Sequence, residues 1–114
     1  MLPTVGRRYS VQCSDTMRTE KRIPLFNFAD LEDLRTHLPF SCPLVGIELD
    51  PKATPLPAYK HPDRAVYLLG AEDHGLSPDA LARCHSVVKL PGTESMNVAV
   101  AGSIVMYDRH VKAL

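Results

Sequence analysis

At 114 residues the chain is long enough to bury one hydrophobic core and too short for two, so a single domain spanning residues 1–114 is expected. Its 13 basic and 13 acidic residues cancel, which excludes attraction to a polyanion through net charge alone. The charges are not evenly spread: Arg7, Arg8, Arg18, Lys21 and Arg22 stand with only Asp15 and Glu20 in the first 22 residues, a basic segment that composition reads first as a solvated surface with ordinary charge scatter and second as a contact for phosphates.

Leu2 to Val5 reads as a short strand ended by Gly6, and Ser14-Asp15-Thr16 as the cap of a short helix. Ile23-Pro24-Leu25-Phe26 is a brief apolar run that its proline limits to a strand edge or a loop. Asn27 to Leu38 places Leu31, Leu34 and Leu38 at helical spacing, with Asp30, Glu32 and Asp33 near the amino end where the helix dipole favours them. Pro39 stops that helix. Leu44 to Leu49 reads as a strand. Asp50 to Pro62 holds four prolines, too many for either regular structure, and is expected to be a loop. Ala65 to Leu69 is a continuous apolar run, as in a strand buried on both faces of a parallel sheet. Ser77-Pro78-Asp79 supplies a capping serine, a first-turn proline and a first-turn acid for a short helix ending near Cys84. Val87 to Leu90 is the next strand, and Asn97 to about Lys112 a long helix with small residues concentrated early. Strand and helix alternate, so the expected fold is α/β, a mainly parallel sheet with flanking helices.

Two loops of small residues mark the candidate site. Leu69-Gly70-Ala71-Glu72-Asp73-His74-Gly75-Leu76-Ser77 follows one strand, and Leu90-Pro91-Gly92 with Ser95-Met96-Asn97 follows the next. Ligands bind at such junctions because strand carboxyl ends and helix amino ends leave unpaired backbone groups facing a shared crevice. Gly70 suits a tight turn or the close approach of a flat ligand to the backbone. Glu72, an acid directly after an apolar strand, needs a partner wherever it is buried, as a cap on the following helix or as an orienting group. Asn97 and Ser95 carry the same double reading, cap or site. Cys13, Cys42 and Cys84 are odd in number and lack a Cys-x-x-Cys pair, and the five histidines show no i, i+4 pair, so neither a disulfide framework nor a metal site is expected. No Gly-x-x-x-x-Gly-Lys loop or Gly-x-Ser-x-Gly elbow occurs to support phosphoryl transfer or a serine nucleophile.

The series Leu-Gly-Ala-Glu-x-x-Gly-Leu-Ser, Leu-Pro-Gly and Ser-Met-Asn-Val-Ala-Val-Ala resembles the second and third motifs of the SpoU-type (TrmH-like) RNA 2′-O-ribose methyltransferases of the SPOUT superfamily, in order and spacing as well as letters. The resemblance is sharpest over Ala65 to His110 and extends more faintly to Gly6-Arg7-Arg8-Tyr9 and Ser14-Asp15-Thr16. It implies an α/β knot, with the carboxy-terminal segment threaded as a trefoil, and S-adenosyl-L-methionine as cofactor. The resemblance places Leu69, Gly70, Leu90 and Met96 around that cofactor and gives Glu72, Ser95 and Asn97 roles in catalysis. Methionine at position 96, where the family has an aliphatic residue, keeps size and adapts its shape. An activated methyl group needs little covalent help; the ribose hydroxyl must be placed in line and relieved of its proton. In the family that task rests on an arginine in an earlier strand-loop-helix unit, whose motif Arg7, Arg8 and Arg18 do not match. The expectation is therefore an amino-terminally shortened methyltransferase domain acting on tRNA or rRNA, paired as a homodimer through the last helix. Its rival is a non-catalytic remnant that binds cofactor or RNA or only dimerises. With no charged-then-apolar leader and no apolar run near the roughly 20 residues that span a bilayer, the expected setting is the cytoplasm.

Overall fold

The computed structural model describes residues 4–5, 23–70, 75–92 and 97–114, which fall in two units, Met1–Phe40 and Ser41–Leu114. In the first, β1 (Thr4–Val5) pairs in parallel with β2 (Asn27–Phe28), and α1 (Leu31–Thr36) follows. The helix expected from Asn27 therefore starts four residues later. Asp30 sets that start: its Oδ1 accepts from the Asp33 N–H at 2.8 Å, while Asp33 Oδ2 reaches back to the Ala29 N–H at 2.9 Å. These reciprocal bonds satisfy donors that the first turn leaves without a partner. At the other end the His37 and Leu38 amides bond only three residues back, to Leu34 and Arg35, so the turn tightens and stops ahead of Pro39. Of the leucine stripe only Leu34 is fully buried. Ile23, Leu25 and Phe26 are exposed and outside regular structure. The expected cap at Ser14-Asp15-Thr16 and the basic cluster of residues 7–22 lie outside the described residues.

The second unit is built on four parallel strands. β3 (Leu44–Ile47), β4 (Thr54–Pro55), β5 (Val66–Leu69) and β6 (Ser86–Lys89) stand in the order β4-β6-β3-β5, with α2 (Pro78–Arg83) and α3 (Val98–Lys112) between and after them. The register is Val45 opposite Tyr67 and Ser86, and Ile47 opposite Leu69 and Val88. One expectation is corrected here. The proline-rich stretch is not wholly irregular, since Thr54–Pro55 pairs with Val88 and Lys89 and a single 3-10 turn follows at Leu56–Ala58. Pro55 is tolerated because β4 is an edge strand, where a missing N–H leaves no ladder bond unmade. The helix expected after Ser77 is found with its cap, Ser77 Oγ accepting from the Ala80 N–H at 3.1 Å.

Alternate residues of the strands face opposite ways. Val45, Tyr67 and Val88 share one core with Leu56, Leu90 and, from α3, Ala101 and Val105. Val45, Val88 and Val105 are essentially sealed from water, each worth roughly 1.5–3 kcal/mol of apolar burial. On the other face Gly46 leaves room for the end of α2, since a Cβ there would lie 2.9 Å from Cys84 Sγ and 3.2 Å from Leu76 Cδ1. Burial pushes the Cys84 thiol up, so it behaves as a packing group.

The second half of α3 is tied to the proline-rich stretch by polar contacts. Arg109 donates to the Pro62 carbonyl at 2.7 Å, the Asp63 carbonyl at 2.6 Å and Tyr67 Oη at 2.9 Å. Lys112 donates to the Leu56 and Tyr59 carbonyls at 2.7 and 2.8 Å and pairs with Asp108 at 2.8 Å. His61, 6% exposed, bridges Tyr67 Oη and Asp108 Oδ2, both at 2.7 Å. Because Arg109 already donates to Oη, the network assigns the Tyr67 proton to His61 Nδ1 and leaves the Nε2–H for Asp108. Burial raises the Tyr67 hydroxyl above its ordinary value, with Arg109 opposing. Burial works against the Asp108 carboxylate too, but hydrogen bonds from Lys112 and His61, with the Lys112 charge, outweigh it and hold the group below its ordinary value.

Two stability measurements follow from this packing. Asp108→Asn is expected to lower the unfolding free energy by about 1–2 kcal/mol in urea titrations at pH 7. A carboxyl lowered in the folded state stabilises above its ordinary pKa and loses that contribution as pH falls through the folded value, so the gap should close below about pH 4. Gly102→Ala should act the other way, raising stability by about 0.5–1 kcal/mol. Among the described residues a Cβ there meets Leu69 methyls, at 3.8 and 4.0 Å, and a destabilised variant would show that the α3 contact has no such slack.

Candidate cofactor site at the carboxyl edge of the sheet

With β3 hydrogen-bonded to β5 on one side and β6 on the other, the carboxyl ends of all three strands lie along one edge. Leu69 ends β5 at that edge and Gly70 leaves it, and Leu90 leaves it beyond β6. Between them Glu48 continues β3, its N–H donating to the Val88 carbonyl at 3.1 Å. The helix α3 brings its own start to the same edge. Gly102 packs beside Leu69 at the end of β5, while Arg109, two turns later, bonds Tyr67 further back along the strand. The helix thus runs antiparallel to β5, and Asn97 lies beyond Leu69 on the carboxyl side. Strand ends and a helix amino end, with its partial positive charge, meet in this way at ligand sites of parallel α/β folds.

Of the seven residues singled out, Leu69, Gly70, Leu90 and Asn97 are brought to this edge; Glu72, Ser95 and Met96 lie outside the described residues. Asn97 is the N-cap of α3, its Oδ1 accepting from the Ala99 N–H at 2.9 Å and the Val100 N–H at 3.2 Å. Leu90 is buried in the α3 core, and Leu69 is half-buried against it, so both form apolar floor at the edge. At Gly70 the tight-turn reading describes the geometry. A Cβ would strike the Gly75 carbonyl oxygen and the Leu76 nitrogen, each 2.5 Å away. The space is filled by the returning strand of the chain's own loop.

One residue escaped the sequence reading. Glu48 Oε2 accepts from the Leu76 N–H at 2.6 Å, and Oε1 from the Leu49 N–H at 2.9 Å. Gly75, at φ +65°, lies against the same carboxylate, and a Cβ there would overlap Oε2. The reasoning applied to Glu72, that an acid directly after an apolar strand needs a partner, applies equally to Glu48. It went unused because Leu49 extends the apolar run past the acid. The edge therefore offers apolar floor, a helix amino end and a loop whose two ends touch, an arrangement suited to a small ligand with a flat part and an anionic part. Among the described residues no group of three or more His, Cys, Asp or Glu is placed to hold a metal ion, and no helix is long and apolar enough to cross a membrane.

Comparison with known proteins gives a consistent result. The model of the SpoU rRNA Methylase family matches residues 8–107. The 23S rRNA (guanosine-2′-O-)-methyltransferase RlmB of Acinetobacter baylyi is 34% identical over 92 residues, covering 77% of this chain and 36% of that protein. The chain thus spans about a third of the length of this curated relative. Among solved structures, a TrmH-family protein from Porphyromonas gingivalis superposes with a TM-score of 0.65 at 25% identity over 77% of this chain and 38% of its own. A second structure, described under the words "Structural insights into the 2-OH methylation of C/U34 on tRNA", gives 0.80 at 20% identity over 98% and 78%, a likeness of fold.

Whatever ligand the edge takes, the Gly70 contact belongs to the fold. Gly70→Ala is expected to lose about 1–3 kcal/mol of stability in chemical unfolding, because backbone on the far side cannot move aside as a side chain can. An unchanged midpoint would show that the loop end yields freely.

Proposed function

The chain belongs to the SpoU rRNA Methylase family, and we propose that it is an S-adenosyl-L-methionine-dependent RNA 2′-O-ribose methyltransferase domain acting on rRNA or tRNA. The observation that carries this reading is the family match over residues 8–107, which takes in both loops, joined to a fold that sets Leu69, Gly70, Leu90 and Asn97 on one edge. The residues present suit the cofactor. Leu69 and Leu90 supply apolar floor for a flat base, and the amino end of α3 suits the carboxylate of the methionine moiety. Gly70, Leu90 and Met96 would hold the cofactor through main-chain groups and apolar contact; Glu72, Ser95 and Asn97 would orient the ribose hydroxyl and keep the loops together. When bound, the cofactor supplies a methyl group already joined to a sulfonium leaving group. What remains for the chain is placement, exclusion of water and a path for the hydroxyl proton. An RNA substrate would set the protein in the cytoplasm. A threaded carboxy-terminal segment, which the family resemblance implies, is part of this reading.

Pairing of two copies through α3 completes the proposal. Val100, Ile104, Tyr107 and Val111 are exposed along the helix, and Ala99, Val100, Ser103, Ile104 and Tyr107 line an open groove of about 420 Å³. Small residues beside large apolar ones permit close approach of a like helix. Ile104→Glu should convert a dimer to a monomer in sedimentation, and a wild-type monomer at micromolar concentration would remove this part.

The deciding experiment is transfer of tritiated methyl from S-adenosyl-L-methionine to bulk rRNA and tRNA, followed by alkaline hydrolysis. A methylated 2′-hydroxyl blocks backbone cleavage, so the label is expected in alkali-resistant dinucleotides. Label in mononucleotides would mean base methylation. Cofactor binding with no transfer would identify the non-catalytic form.

A further inference from the structure

The carboxylate of Glu48 is engaged on both oxygens by backbone, and one of those bonds leaves its own strand. Its Oε2 takes the Leu76 N–H at 2.6 Å across 28 residues, a short bond to a charged acceptor. Leu76 and Gly75 are also the atoms that close against Gly70. Glu48, Gly75, Leu76 and Gly70 thus form a stack in which the end of β3 holds the far end of the 70–76 loop down on its near end. The stack has no slack: a Cβ at either glycine would meet backbone or the carboxylate. Gly70, which the proposed function gives to the cofactor, is the floor of that stack.

We propose that Glu48 is a positioning residue for the cofactor, acting through the Leu76 amide to hold Gly75 and Leu76 against Gly70, whose main chain receives S-adenosyl-L-methionine. This rests on the reading that Gly70 contacts that cofactor. A group that shapes the empty site contributes equally to ground and transition states, so its loss weakens binding and leaves the chemical step intact. Loss of a merely structural contact would instead lower the fraction of folded enzyme, and kcat with it, at unchanged KM.

Glu48→Gln keeps size and one acceptor oxygen while turning an NH2 toward one of the two amides, so one bond is lost. Calorimetry with S-adenosyl-L-methionine and steady-state transfer to RNA are expected to show Kd and KM for the cofactor raised roughly tenfold or more, with kcat within about twofold. The Leu76 amide proton is expected far downfield in the wild type because of its short bond, and should move upfield in the variant. Gly75→Ala supplies a second test and replaces the first should Glu48→Gln fail to fold, since its methyl presses on the same carboxylate. It too should weaken binding, and the double variant should fall well short of the sum of the two effects. Wild-type binding with an unchanged Kd in Glu48→Gln, a fall in kcat at constant KM, or additive effects would each overturn the proposal alone. A wild-type protein that takes up no S-adenosyl-L-methionine would overturn the cofactor reading and this one together.

Discussion

Parallel pairing of β3 with β5 on one side and β6 on the other governs the larger unit. Parallel strands all finish on the same side, so the three chain exits at Glu48, Gly70 and Leu90 are neighbours whatever their loops contain. A connection between such strands must cross the sheet, and here α2 borders the Gly46 face while α3 covers the Val45 face. Because α3 returns against β5, its amino end is delivered to that same row of exits. The concentration of polar groups there is a result of connectivity, and the loops need only add detail to a place already made.

The elements easiest to read were those whose local pattern and burial agree. β3, β5 and β6 are short apolar runs because neighbours cover both faces, and α2 announces itself through Ser77, Pro78 and Asp79. Helix α3 and its Asn97 cap were legible for the same reason. β2 was not, because Asn27 has no strand preference and the pair of residues is held by β1 alone. β4 was not, because proline argues against a strand unless one knows that it lies at an edge. Strand order, the Glu48 contact and the ties from α3 to His61 and Leu56 depend on residues 22 to 56 positions apart, beyond the reach of any periodicity.

Gly70 and Asn97 show why pattern left the site undecided. A glycine that lets a loop close on itself and one that lets a ligand approach the backbone are the same glycine, and an asparagine that starts a helix starts it where an anion is welcome. Structural demands and those of the proposed function would fall on the same atoms. Glu48 carries the point further, since an acid taken for the tail of a strand proves to be what holds the neighbouring loop.

The bonds from Arg109 and Lys112 to the Pro62, Asp63, Leu56 and Tyr59 carbonyls have a consequence for biosynthesis. They join the second half of α3 to a stretch made 46 to 56 positions earlier. Until α3 has cleared the ribosome, Val45, Tyr67 and Val88 lack their cover and His61 lacks its acid. The nascent sheet therefore waits for that helix with an oily face open to whatever escorts newly made chains.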